Sequence, residues 1–142
     1  MNPKVVSELR RIAEENDGIL QPETVVDEAR PVSSPLHSRF EWDDSIAGQQ
    51  HRIWQARHLI RVVVEVLPGT KISHDVFVSL TTDRREGGYR IMADVLSEAE
   101  MRNQLLRDAL NELELFREKY NRLKELVEVF KAIKKVKRRR KK

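Results

Sequence analysis

Three sets of side chains have the chemistry to recognise or transform another molecule. The first is a basic run. From Lys131 to Lys142 there are nine Lys/Arg and no acid, with Lys134, Lys135, Lys137, Arg138, Arg139, Arg140, Lys141 and Lys142 the candidate contacts. Cations at this density attract a polyanion, DNA or RNA foremost, by displacing its condensed counterions, and the attraction falls with salt. Anionic lipid, an acidic protein face, or a merely solubilising end are the other readings of such a run. The second set is Gln49, Gln50, Arg52, Gln55 and Arg57. Gln pairs with adenine edges and Arg with guanine edges or phosphates, so one helix carrying all five could read a groove; a plain solvated helix face has the same composition.

The third set would be catalytic. His37, His51, His58 and His74 are candidate bases or ligands, with Glu41, Asp43 and Asp44 near them in sequence. No His pair has the spacing of HExxH, no Cys is present, and no GxSxG elbow occurs. Gly87-Gly88 lacks the strand–GxxxxGK[ST]–helix setting of a phosphate loop. Asp43, Asp44 and Asp83 would be the Mg²⁺ ligands of a nuclease. The expectation is a protein that is not an enzyme, with no catalytic residue, no metal and no cofactor.

The elements that position these groups follow from punctuation and periodicity. Asn2-Pro3 starts a helix over about 3–16 with Val5, Val6, Leu9, Ile12 and Ala13 on one face, stopped by Asn16-Asp17-Gly18. Pro22-Glu23 opens a second helix with Val25, Val26 and Ala29 inward, closed by Pro31. In 32–44, Leu36, Phe40 and Trp42 should pin a loop onto the core. Asp43 or Asp44 is expected to cap a third helix to about Ile60, burying Ile46, Ala47, Ile53, Trp54 and Ile60, with Gln49, Gln50, Arg52, Gln55, Arg57, His58 and Arg61 on its other faces. Arg61–Leu67 and His74–Leu80 read as a hairpin about Pro68-Gly69, and Tyr89–Met92 as a third strand after a polar loop. Helix, helix, helix, hairpin is the order of a winged-helix domain, placing the Gln/Arg helix where a recognition helix would lie.

From Ser97 onward no Gly or Pro interrupts the chain, and Ser97-Glu98-Ala99-Glu100 has the pattern of a capping box. One long helix over 97–133 is expected. Leu106, Ala109, Leu113, Phe116, Tyr120, Leu123, Val127 and Phe130 alternate spacings of three and four, a coiled-coil seam for oligomerisation. Leu105, Leu110, Leu126 and Ile133 widen that stripe, which suits a higher oligomer or packing against the chain's own N-terminal part. In a parallel pair Glu112 would face Arg117 but Lys119 would face Lys124, so strand orientation is open. The expected architecture is α+β and mainly helical: a winged-helix-like domain over 1–96, the oligomerisation helix, and a basic tail over 134–142.

Charge divides the chain in the same way. Nine of its 27 Lys/Arg lie in 131–142, leaving 18 against 23 acids in 1–130. The calculated pI of 9.5 is therefore the tail's doing. No apolar run approaches the roughly 20 residues needed to span a bilayer, and the first residues lack a signal-peptide core, so a soluble, intracellular protein without a membrane partner is expected.

Several strings carry a resemblance. The run from Pro22 to Arg30, Ser34-Pro35-Leu36-His37, Phe40-Glu41-Trp42-Asp43 and the run from Gln55 to Arg61, with Ser-x-x-x-Asp-Arg at Ser79–Arg84 and Gly-Gly-Tyr-Arg at Gly87–Arg90, resemble a family of small proteins encoded in bacteriophage and prophage genomes. The resemblance implies a phage context, in the cytoplasm of a bacterial host or associated with the virion, and transfers no functional residue. The layout is analogous to small terminase subunits, which join a helical DNA-binding domain to ring-forming helices. DNA or RNA, further copies of the chain and other phage proteins are the partners it suggests. A non-enzymatic nucleic-acid-binding protein for packaging or regulation is the first expectation, and a virion structural or assembly protein the alternative.

Overall fold

The computed structural model describes residues 2–46 and 48–141, and of Lys141 the backbone alone. The chain divides into two compact units, Met1–Glu98 and Ala99–Lys142. It is α+β and mainly helical, with small antiparallel sheets. Among the described residues no helix is long and apolar enough to cross a membrane.

In the first unit, α1 (Pro3–Glu15) begins where Asn2 accepts a hydrogen bond from the Lys4 amide, with Pro at the first turn. Asp17 and Gly18 take the left-handed conformation at its end, and the Gly18 amide returns to the Ala13 carbonyl at 2.8 Å. Strand β1 (Ile19–Leu20) follows, then α2 (Pro22–Ala29). Leu9, Leu20, Val25, Val26 and Leu36 are fully buried together in one core, and Phe40 and Trp42 pin the irregular segment onto it.

The third helix differs from the expected one. α3 spans Gln49–Val62, after Gly48, and neither Asp43 nor Asp44 caps it. Asp43 instead accepts from the amide and hydroxyl of Ser45, a local turn that competes with helix at this point. Ile46 is exposed, and Ala47 lies outside the described residues. The inward face is Arg52, Ile53, Ala56, Leu59 and Ile60; Trp54 is 58% exposed.

Strand β2 (Val64–Val66) pairs with β3 (Ser73–Asp75) about the Pro68-Gly69 turn, Glu65 opposite His74. The expected single strand over His74–Leu80 is divided between two sheets, because β4 (Phe77–Val78) pairs with β5 (Tyr89–Ile91), whose other edge takes β1. Val76 is the junction: its amide donates to Val63 and its carbonyl accepts from Met92. The bend explains why adjacent Val76 and Phe77 are both buried, where a straight strand would alternate. The loop expected between β4 and β5 contains one helical turn, α4 (Thr81–Arg84), and α5 (Met92–Ser97) follows β5.

Gly88 lies so close to β1 that an added Cβ would sit 2.8 Å from Ile19 Cγ2. Gly88→Ala is expected to destabilise the first unit by about 1–3 kcal/mol, since the clash is with the β-branched, half-buried side chain of Ile19. An unchanged denaturation midpoint would refute this.

The second unit is not one helix. Ser97 ends α5, its hydroxyl donating to the Asp94 carbonyl, and Glu98 is extended. α6 runs Ala99–Tyr120, a turn and one 3₁₀ turn follow, and α7 runs Val127–Lys141. Leu123, at φ −81° and ψ 100°, breaks the helical path. Phe116 meets Phe130 at 6.5 Å between ring centroids, and Lys137 meets Glu114 at 2.9 Å, so α6 and α7 form an antiparallel hairpin. No Gly or Pro marks the turn because none is needed. Interrupting a helix at Asn and Arg costs little, and packing two apolar faces outweighs it.

Candidate nucleic-acid interface

The basic run is helical throughout its described length. Lys134, Lys135, Arg138, Arg139 and Arg140 are exposed, and among the described residues no carboxylate pairs with them. Each residue turns the helix by about 100° and advances it by about 1.5 Å, so these cations surround most of α7 and leave one line for packing. That line contains Phe130, the buried Ile133 and Lys137. Lys137 is thus committed to Glu114, whose second partner is Arg117 at 2.7 Å. The Lys137 bond is the main reason that the Glu114 carboxyl is held below its ordinary range, so acid that protonates Glu114 removes this tie between α6 and α7. The side chain of Lys141 and all of Lys142 lie outside the described residues.

Of the eight residues proposed for the oligomer seam, Phe116 and Phe130 meet within the hairpin, and Phe116 also packs at a tilt against Tyr120, 4.9 Å between ring centroids. Leu106, Leu113, Phe116, Leu123 and Val127 stay 39–47% exposed, and Ala109 is exposed too. Leu110 and Ile133, from the wider stripe, are buried, and so is Asp108.

The five Gln/Arg positions of the third helix separate into two kinds. Arg52 is not on an open face: it is 5% exposed, its guanidinium lies over Trp42 at 5.6 Å, and it donates to Asp44 at 2.6 Å and to the Glu41 carbonyl. It braces the 41–44 segment against α3. Gln55 accepts from the Glu41 amide and Gln49 from Arg30. Gln50 and Arg57 are exposed.

The catalytic candidates are dispersed. His37 Nδ1 lies 3.0 Å from the Ala29 carbonyl and the ring stacks on Trp42. Asp83 takes both ends of the Arg90 guanidinium at 2.6 and 2.9 Å. Among the described residues no three His, Asp or Glu gather as a metal site would require.

Two features went unrecognised in the sequence. Trp54, expected in the core, lies on the surface between His51 and His58, each ring 5.7 Å from it and within 20° of parallel. Beside it along α3, Arg57 and Arg61 line a cleft of about 390 Å³ with Ser79, Arg84, Gly87 and Tyr89. The i, i+4 spacing of Arg57 and Arg61 was a visible signal; the approach of Arg84 from α4 depends on how β4 and β5 fold back. No family model, curated protein or solved structure matches this chain.

Proposed function

We propose that this is a non-enzymatic, oligomeric nucleic-acid-binding protein of a bacteriophage or prophage, acting in the cytoplasm of its bacterial host in DNA packaging or regulation. The observation that carries the reading is α7, where five exposed Lys/Arg lie within seven residues with no carboxylate partner among the described residues. A helix with cations on most faces supplies affinity without sequence choice, and several copies joined through the exposed seam multiply it by raising effective concentration. The element order of the first unit, with β1 paired to the last strand and a hairpin after α3, supports the winged-helix-like reading. Gln50 and Arg57 are the groups of α3 best placed for a groove, while Arg52, Gln49 and Gln55 serve the fold. The test is titration of the full chain with duplex DNA across a salt series. Affinity that falls steeply with salt is the expected result, and no binding at low salt would end the reading. The half-exposed Leu106, Leu113 and Val127 favour a second reading, in which the hairpin and its cations join other virion proteins in assembly.

A further inference from the structure

The α6–α7 hairpin leaves an apolar side exposed. Ala109, Leu113 and Phe116 of α6 and Val129, Ala132 and Val136 of α7 repeat at spacings of three and four, one stripe along each helix. All six are exposed, the four larger side chains by 39–44%. On the other side of the hairpin the two helices form a groove whose lining includes Asn111, Glu118 and Lys134. At about 100° per residue the stripes stand about 140–180° round their helices from those groove residues, so both face away from the groove and lie side by side. Val129, Ala132 and Val136 belong to no single-helix seam; the fold-back at Leu123 is what sets them beside α6.

The face has the extent of an interface. α6, with 22 residues, is about 33 Å long, α7, with 15, about 22 Å, and each is about 10 Å across. One such side presents about 550 Å², apolar along its middle, and two in contact would bury about 1,100 Å², above the roughly 1,000 Å² that marks a specific contact. Its chemistry chooses the occupant. No ionised group stands among the six, so phosphate finds no partner there. Small Ala109 and Ala132 leave hollows beside Leu113, Phe116 and Val136, and a copy of the same face turned about a two-fold axis fills them with those larger side chains. A two-fold axis in the plane of the contact sets every pair of facing helices antiparallel, the arrangement of a four-helix bundle. We infer that two copies of this chain pair through the α6–α7 face as a four-helix bundle, with Leu113, Phe116, Val129 and Val136 in its interior. This rests on the oligomeric part of the reading above and names its contact. Lys134 and Arg138 stand about 160° round α7 from Val136, so pairing leaves them outside and puts two basic helices on one particle.

Light scattering of the full chain, free of nucleic acid, over a concentration series reads the pairing. The parent should have twice the 16.7 kDa of one chain. Val129→Asp/Val136→Asp should reduce it to one, raising the dissociation constant at least about a hundredfold, because each aspartate would be a buried charge without a counter-ion. Asn111→Asp, which adds a negative charge on the groove side, should leave the mass unchanged. Should the aspartate pair lose the parent's helical circular dichroism spectrum, Val129→Gln/Val136→Gln takes its place, since Gln favours helix more than Val; about tenfold weakening is then expected. A parent that pairs while both Val129/Val136 variants keep its mass overturns this inference and leaves the oligomeric reading standing. So does equal dissociation by Asn111→Asp, or a parent of three or more chains. A parent of one chain at every concentration overturns both.

Discussion

Replacing Lys134, Lys135, Arg138, Arg139 and Arg140 together by Gln is expected to flatten the salt dependence of duplex binding by about four to five units of log affinity per log salt, since each phosphate contact contributes about 0.9. Between about 50 and 200 mM salt the parent should lose several hundredfold more affinity than the variant. Gln forms helix nearly as well as Lys and Arg, and Lys137 is left to hold Glu114, so the substitution removes charge while α7 keeps its shape. Truncation at Lys134 would also remove that ion pair, and its effect would mix charge with folding. A variant with the parent's slope would show that α7 does not touch phosphate. The assembly reading would then be the better account of the basic run.

The second large effect is expected in the particle mass. Leu106 and Leu113 lie two turns apart on α6, 40% and 39% exposed in a chain of 16.7 kDa. In an oligomer each leucine would bury its exposed part for about 1 kcal/mol, whereas an aspartate there would be an unpaired buried charge costing several. Leu106→Asp/Leu113→Asp should therefore reduce the mass by light scattering to a single chain, and lower apparent DNA affinity through lost avidity. Unchanged mass would place the contact elsewhere. The hairpin's own interior, Leu110 and Ile133, is not altered by the pair, so the helical spectrum should persist.

Where structure is local, the residues announced it. Asn2-Pro3 and Asp17-Gly18 bound α1, Pro22 opens α2, and the Pro68-Gly69 turn joins β2 to β3, because capping, fixed φ and positive φ act within a few residues. The charge of α7 was equally plain, since it is a property of composition. Three outcomes depended on distant partners. The helix expected to run unbroken from Ser97 folds back between Tyr120 and Val127, as the competing states differ by the packing of Phe116 on Phe130 and the pairing of Glu114 with Lys137. The phase of α3 buries Arg52 and exposes Trp54, the reverse of their hydropathy. Trp42, Asp44 and the Glu41 carbonyl give the buried guanidinium partners in place of water. The arginine cleft closes because Val76 passes the chain from one sheet to the other and brings α4 beside α3. Sequence alone determined the starts of α1 and α2, the Pro68-Gly69 turn and the basic end of this chain. Tertiary structure decided which faces stay open, because burial is settled by what packs against a residue.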